Sequence, residues 1–156
     1  MKYKGKRPTQ NIEVVCLPRL DGDIIFQCQS VVSFEDFDKA CTEPQPPMKV
    51  KASGESEPLL TDTAYVLRMA DYRAKRYCWL ILQSMRATPD LEWERVNYDE
   101  PDTWQEWSKE LTEAHFSTVE INLIVTAVMT ANSLNEDRLE EAKSRFLASQ
   151  LAAQNQ

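Results

Sequence analysis

Apolar residues recur at helical spacing most densely between Val119 and Ala131, and the rest of the chain is organised around this stretch. Ile121, Ile124, Val125, Val128 and Met129 share one face, Val119, Leu123 and Ala127 widen it, and Asn122, Thr126 and Thr130 leave only a narrow polar strip. Such a pattern predicts a helix buried on most sides. Its β-branched content would also suit a buried strand, and the helix is the preferred reading. Ser117 stands three residues before Glu120, and Ser133 three before Glu136. Each pair reads as a capping box, in which the serine oxygen takes an amide at the helix start while the glutamate reaches back. A last helix follows over about Asn135–Ala152, with Leu139, Ala142, Phe146 and Leu151 as its stripe and Arg138, Glu141 and Arg145 pairing along the outside.

Upstream the period changes. Ile12–Leu17 and Ile24–Val32 alternate as strands, and Asp21-Gly22 between them predicts a hairpin, with Ile24, Phe26 and Cys28 on the covered face. Two strands alone are marginal, so a helix or a third strand is required against them. Met48-Lys49-Val50-Lys51 alternates as a candidate third, edge strand. A short helix capped by Ser33 runs to Cys41, turning Phe34, Phe37 and Ala40 inward. Residues 42–60, with Pro44, Pro46, Pro47 and Pro58, read as a mobile connection or a partner-docking arm. A long helix spans about Asp62–Met85, with Val66, Ala70, Ala74, Tyr77, Ile81 and Met85 along one face. After a loop over 90–102, Thr103 and Glu106 form a third capping-box pattern, opening a helix to about Glu113 with Trp104, Trp107 and Leu111 inside. The fold class is therefore α+β, mainly α: an N-terminal hairpin, open to a third strand, with a bundle of about four helices. The boundary falls between 1–60 (hairpin, short helix, Pro-rich arm) and 61–156 (helical region), read as one cooperative unit.

Charge sharpens this picture. Residues 1–89 carry 13 Lys and Arg against 11 Asp and Glu, while residues 90–156 carry 5 against 14. The acidic half repels nucleic acid and anionic membranes and suits a basic partner. Arg68, Arg73, Lys75 and Arg76 make a basic stretch beside Tyr65 and Tyr72, read as a solvated face that pairs with the acidic half rather than as a nucleic-acid site. The basic residues 1–10 read as a solvated arm. No apolar run approaches a membrane span, and the charged start lacks the apolar core of a signal peptide, so the expected location is the cytoplasm. There Cys16, Cys28, Cys41 and Cys78 would be reduced and buried. They contain no Cys-x-x-Cys pair for zinc. His115 has neither a second histidine nor a spaced nucleophile and reads as a cap or surface group. Asp36 with Asp38, and Asp99 with Glu100 and Asp102, are better explained as helix-start acids than as metal ligands. Three glycines leave no phosphate-binding loop. The expectation is a binding protein without cofactor or catalytic site.

The C-terminal third resembles a tailed-bacteriophage tail assembly chaperone. The resembling residues are Trp107, Leu111, Phe116-Ser117-x-x-Glu120, the apolar helix, Ala131-Asn132-x-Leu134 and Leu139-x-x-Ala142-x-x-x-Phe146-Leu147. The resemblance implies a non-enzymatic protein of the bacterial host cytoplasm that binds the tape measure protein and helps recruit tail tube subunits, with self-association open. The alternative is a structural tail component, at the tail end or baseplate, kept in the virion. Two surfaces are candidates for the partner. One is Trp104 and Trp107 with their acidic border of Glu100, Asp102 and Glu106; the other is the arm, through Met48 and Val50.

Overall fold

The computed structural model describes residues 1–133 and 136–154. Strands β1 (Ile12–Leu17) and β2 (Ile24–Gln29) form the expected antiparallel hairpin, with Leu17 opposite Ile24 and Val15 opposite Phe26. Gly22 closes the loop at φ +120°, a backbone setting that glycine adopts without a Cβ clash. Phe26 and Cys28 are buried and Ile24 is half-buried on the inner face. Helix α1 (Glu35–Ala40) follows. Its Phe37 is buried, Phe34 is half-buried, and Ala40, expected inside, is exposed.

Met48–Val50 does form a strand, but not in this hairpin. As β3 it pairs with β4 (Ser56–Pro58) in a separate two-stranded sheet. The outer edge of β2 is occupied instead by side chains of the long helix α2 (Thr63–Met85) and the residues after it. Thr88 Oγ1 accepts the Gln27 amide at 2.9 Å and donates to the Gln27 carbonyl at 3.1 Å. Ser84 Oγ donates to the Gln29 carbonyl at 2.7 Å, and Asn132 Oδ1 accepts the Val31 amide at 2.7 Å. Backbone groups that a third strand would satisfy are thus satisfied by hydroxyls and an amide, which is how two strands suffice.

Asp62 caps α2 by accepting the Tyr65 amide at 2.8 Å. Ile81 and Met85 of the expected face are buried, together with Trp79 and Leu82, but the first half of the helix departs from expectation. There Val66, Ala70, Ala74 and Tyr77 are exposed, while Tyr65, Met69 and Tyr72 are half-buried. The two faces are equally periodic, and the aromatic cluster of Phe37 with Tyr72, Trp79 and Trp104 decides between them. Lys75 supplies the expected link to the acidic half: it bridges Asp102 at 2.8 Å and Asp71 at 3.0 Å, and these hydrogen bonds raise its pKa.

Pro101–Glu106 is a 3-10 helix running into α3 (Trp107–Glu113). The third capping box does not form. Thr103 Oγ1 is taken by the carbonyls of Asn97 and Glu100 and by the Asn97 amide, and Glu106 faces Arg95 and Lys109. Helix α3 ends in a Schellman arrangement. The Phe116 amide reaches Leu111 O at 3.0 Å, the His115 amide reaches Thr112 O at 3.1 Å, and His115 stands at φ +66°. This exposed histidine is therefore a helix terminator.

Helix α4 (Thr118–Asn132) has the predicted capping box in full. Glu120 N reaches Ser117 Oγ at 3.3 Å, and the Ser117 amide reaches Glu120 Oε2 at 2.8 Å. Ile124, Val128 and Ala131 are buried against the hairpin and α2. Burial stops at about half the circumference, however: Val119 and Leu123 are exposed. The Ser133–Glu136 box involves Leu134 and Asn135, which lie outside the described residues.

Helix α5 (Glu136–Gln154) departs most from expectation. Leu139, Ala142, Phe146, Leu147 and Leu151 are all exposed. Instead of Arg138, Glu141 and Arg145 pairing along the helix, Arg138 pairs with Glu13 of β1, and the helix has a Lys143–Glu140 pair at 3.6 Å. The helical layer over the hairpin consists of α2 and α4, with α3 packed against α4.

Candidate functional site

The tryptophan surface suggested by the sequence is not a surface. Trp104 is 1% exposed and Trp107 is 6% exposed. The Trp104 indole N–H is satisfied internally, donating to the carbonyls of Asn97 at 3.1 Å and Tyr98 at 3.2 Å. A tryptophan with its one donor met inside the protein is a core residue. Its acidic border is largely engaged in the fold. Asp102 holds Lys75, Glu106 lies 3.5 Å from Arg95, and Glu100 accepts Asn97 Nδ2 at 2.9 Å. The α3 acid that does most locally is Glu110, which no sequence motif marks. Its carboxylate accepts the amides of Glu94 (2.8 Å), Arg95 (2.7 Å) and Val96 (2.8 Å), fixing the loop after α2 against α3. No local pattern reveals this, because the amides lie 14 to 16 residues away.

The second candidate is exposed. Met48 is 60% and Val50 is 66% accessible on β3. The hairpin is well formed, with Lys51 N on Glu55 O at 2.8 Å, Leu59 N on Pro47 O at 2.8 Å and a Lys51–Glu57 ion pair at 2.9 Å. Those bonds place residues 47 and 51 at hydrogen-bonded positions. By antiparallel alternation, the backbone groups of Met48 and Val50 lie on the outer edge, open to a further strand.

A third surface was not among those chosen from sequence: the stripe of α5, where Leu139 is 50% and Phe146 is 58% accessible between Glu140, Lys143 and Arg145. Its period was legible, but a stripe of this kind normally means core.

The thiols offer little chemistry. Burial pushes Cys28 up to about 11, with the nearby Glu13 adding to the shift, and raises Cys78 and Cys41 as well. All four cysteines are unpaired, and Cys16, expected inside, is exposed. Among the described residues no three His, Cys, Asp or Glu side chains are grouped to hold a metal ion, and no helix is long and apolar enough to cross a membrane. Compared with known proteins, the chain matches no protein-family model, no curated protein and no solved structure.

Proposed function

We propose that this protein is a non-enzymatic tail assembly chaperone of a tailed bacteriophage, which holds the tape measure protein soluble and helps recruit tail tube subunits. The observation that carries the reading is α5, an amphipathic helix whose apolar stripe no other part of the described chain covers. Large apolar side chains framed by charge on an acidic protein suit a long partner helix with its own apolar stripe. The residues that carry the resemblance support the same reading. Co-expression with a tape measure protein of a tailed bacteriophage tests the proposal. The wild type keeps that protein soluble, and Leu139→Asp with Phe146→Asp lets it precipitate while the chaperone's own melt is unchanged. If the wild type neither binds nor solubilises it, the reading fails.

The β3–β4 hairpin favours a second reading, a structural tail component, because its open edge suits strand addition to a neighbouring subunit. Mass spectrometry of purified virions separates the two. A structural protein is present in stoichiometric amounts and a chaperone is nearly absent.

A further inference from the structure

Between β2, the loop after α2 and the end of α3 lies a cleft of about 480 Å³. Its floor is apolar, made by Ile24, Phe26, Leu91, Trp93 and Phe116. Its mouth carries Asp90, Glu92 and Glu94, all exposed and without an ion pair among the described residues. Of the nearby cations, Arg86 lies over the Tyr98 ring and hydrogen-bonds Gln83, and the others are paired with acids elsewhere. Arg95 pairs with Glu113 and Glu106, and Arg19 pairs with Glu120 at 2.6 Å while lying over Phe116. The remaining acid on this side, Glu110, is saturated by three backbone amides. The free carboxylates are therefore an uncompensated negative rim around an apolar hollow, on a chain of net charge −7. The hollow falls within the size range of side-chain and ligand pockets.

We infer that this cleft is a docking site for a basic amphipathic helix of a partner protein, seating one bulky apolar side chain on the floor while Lys or Arg a turn to either side meets Asp90, Glu92 and Glu94. Apolar burial supplies attraction and the rim supplies sign selectivity, since an acidic segment would bring like charges together. The site is separate from the α5 stripe and does not depend on the partner's being a tape measure protein.

Trp93 reports on the site. It is half-buried in the cleft with its indole N–H 3.2 Å from the Tyr98 hydroxyl, whereas Trp79, Trp104 and Trp107 are buried. The probe is a designed amphipathic helix of about five turns, with a Leu and Phe stripe bordered by Lys, alongside a twin bordered by Glu. The Lys peptide should shield Trp93 from acrylamide, an effect absent in Trp93→Phe, and the Glu twin should not. The double reversal Glu92→Lys with Glu94→Lys is solvent-facing and should leave the melt unchanged, yet weaken the Lys peptide at least about tenfold and admit the Glu twin. Equal binding of both peptides, or a change under about twofold on reversal, overturns the inference. So does shielding of Trp93 without peptide that Phe146→Asp abolishes, because the occupant would then be α5 of a second copy. Failure of the co-expression experiment above leaves this result untouched, and the reverse also holds.

Discussion

Helices α4 and α5 are consecutive, amphipathic and preceded by the same Ser-x-x-Glu start pattern, yet only α4 is packed. Helix α4 lays Ile124, Val128 and Ala131 against the hairpin and α2, and Asn132 hydrogen-bonds into the backbone after β2. Helix α5 leaves Leu139, Phe146, Leu147 and Leu151 to solvent. The difference teaches that an apolar period states what a helix has to offer, not that the chain supplies a surface to receive it. In α4 the offer is taken up inside the molecule. In α5 it remains available to a partner.

The sharpest way to break this comparison is to place a charge in each stripe. Ile124→Asp or Val128→Asp sets a carboxylate among fully buried neighbours and should cost several kcal/mol, enough to unfold the protein. Phe146→Asp should leave the thermal midpoint within about 2 °C, because an exposed site away from packing shifts stability by only about 0.5 kcal/mol. Equal losses from the two would show that α5 is packed after all.

A smaller loss tests how the helical layer holds the hairpin. Thr88→Val keeps the shape but removes both hydrogen bonds to Gln27, leaving an amide and a carbonyl on the β2 edge unmet. The expected cost is about 2 kcal/mol by chemical denaturation, with amide exchange at Gln27 accelerated. No change in exchange there would mean that water serves the edge equally well.

Smaller still is the cap. Ser117→Ala removes the acceptor for the Glu120 amide and should cost about 1 kcal/mol, fraying the first turn of α4 but not its buried end. Circular dichroism with amide exchange resolves the two.

The least disruptive probe is acid. Hydrogen bonds from Arg19 first, then from the Ser117 amide and hydroxyl, hold the Glu120 carboxyl at about 2 against an ordinary 4.5. A carboxyl depressed in the folded state contributes stability that is fully present above its unfolded value. That contribution is lost as pH falls from about 4.5 toward 2. A carboxyl titration by NMR should find Glu120 below the other glutamates, and Arg19→Gln should raise it. A Glu120 midpoint near the ordinary value would dissolve the tie between the hairpin loop and the start of α4.

Much of this fold was legible because it is written locally. The β1–β2 hairpin follows from alternation around Asp21-Gly22, α2 begins at its Asp62 cap, and α4 begins at a capping box that forms in full. These features depend on residues a few positions apart, which sequence displays directly. The Thr103-x-x-Glu106 pattern looked identical and misled, because Thr103 found better partners in Asn97 and Glu100.

What sequence alone determined, then, was the kind and approximate extent of most elements, β4 and the 3-10 helix apart, the acid-rich C-terminal half and the absence of any familiar catalytic motif. Tertiary structure decided where a periodic face finds a partner and where it does not. It ruled out a partner surface at Trp104 and Trp107, keeping them on the inner face their spacing indicates and meeting the Trp104 indole N–H with loop carbonyls, and it turned the first half of α2 toward Phe37 through Tyr72. It placed Met48–Val50 in a sheet of its own, while Ser84 of α2 and Thr88 just after it meet the outer edge of β2. It left α5 uncovered and opened a cleft ringed by Asp90, Glu92 and Glu94. The physical reason is the same in each case. Periodicity is a property of one segment, whereas burial is a property of a pair, and the partner's position depends on contacts between residues far apart in the chain.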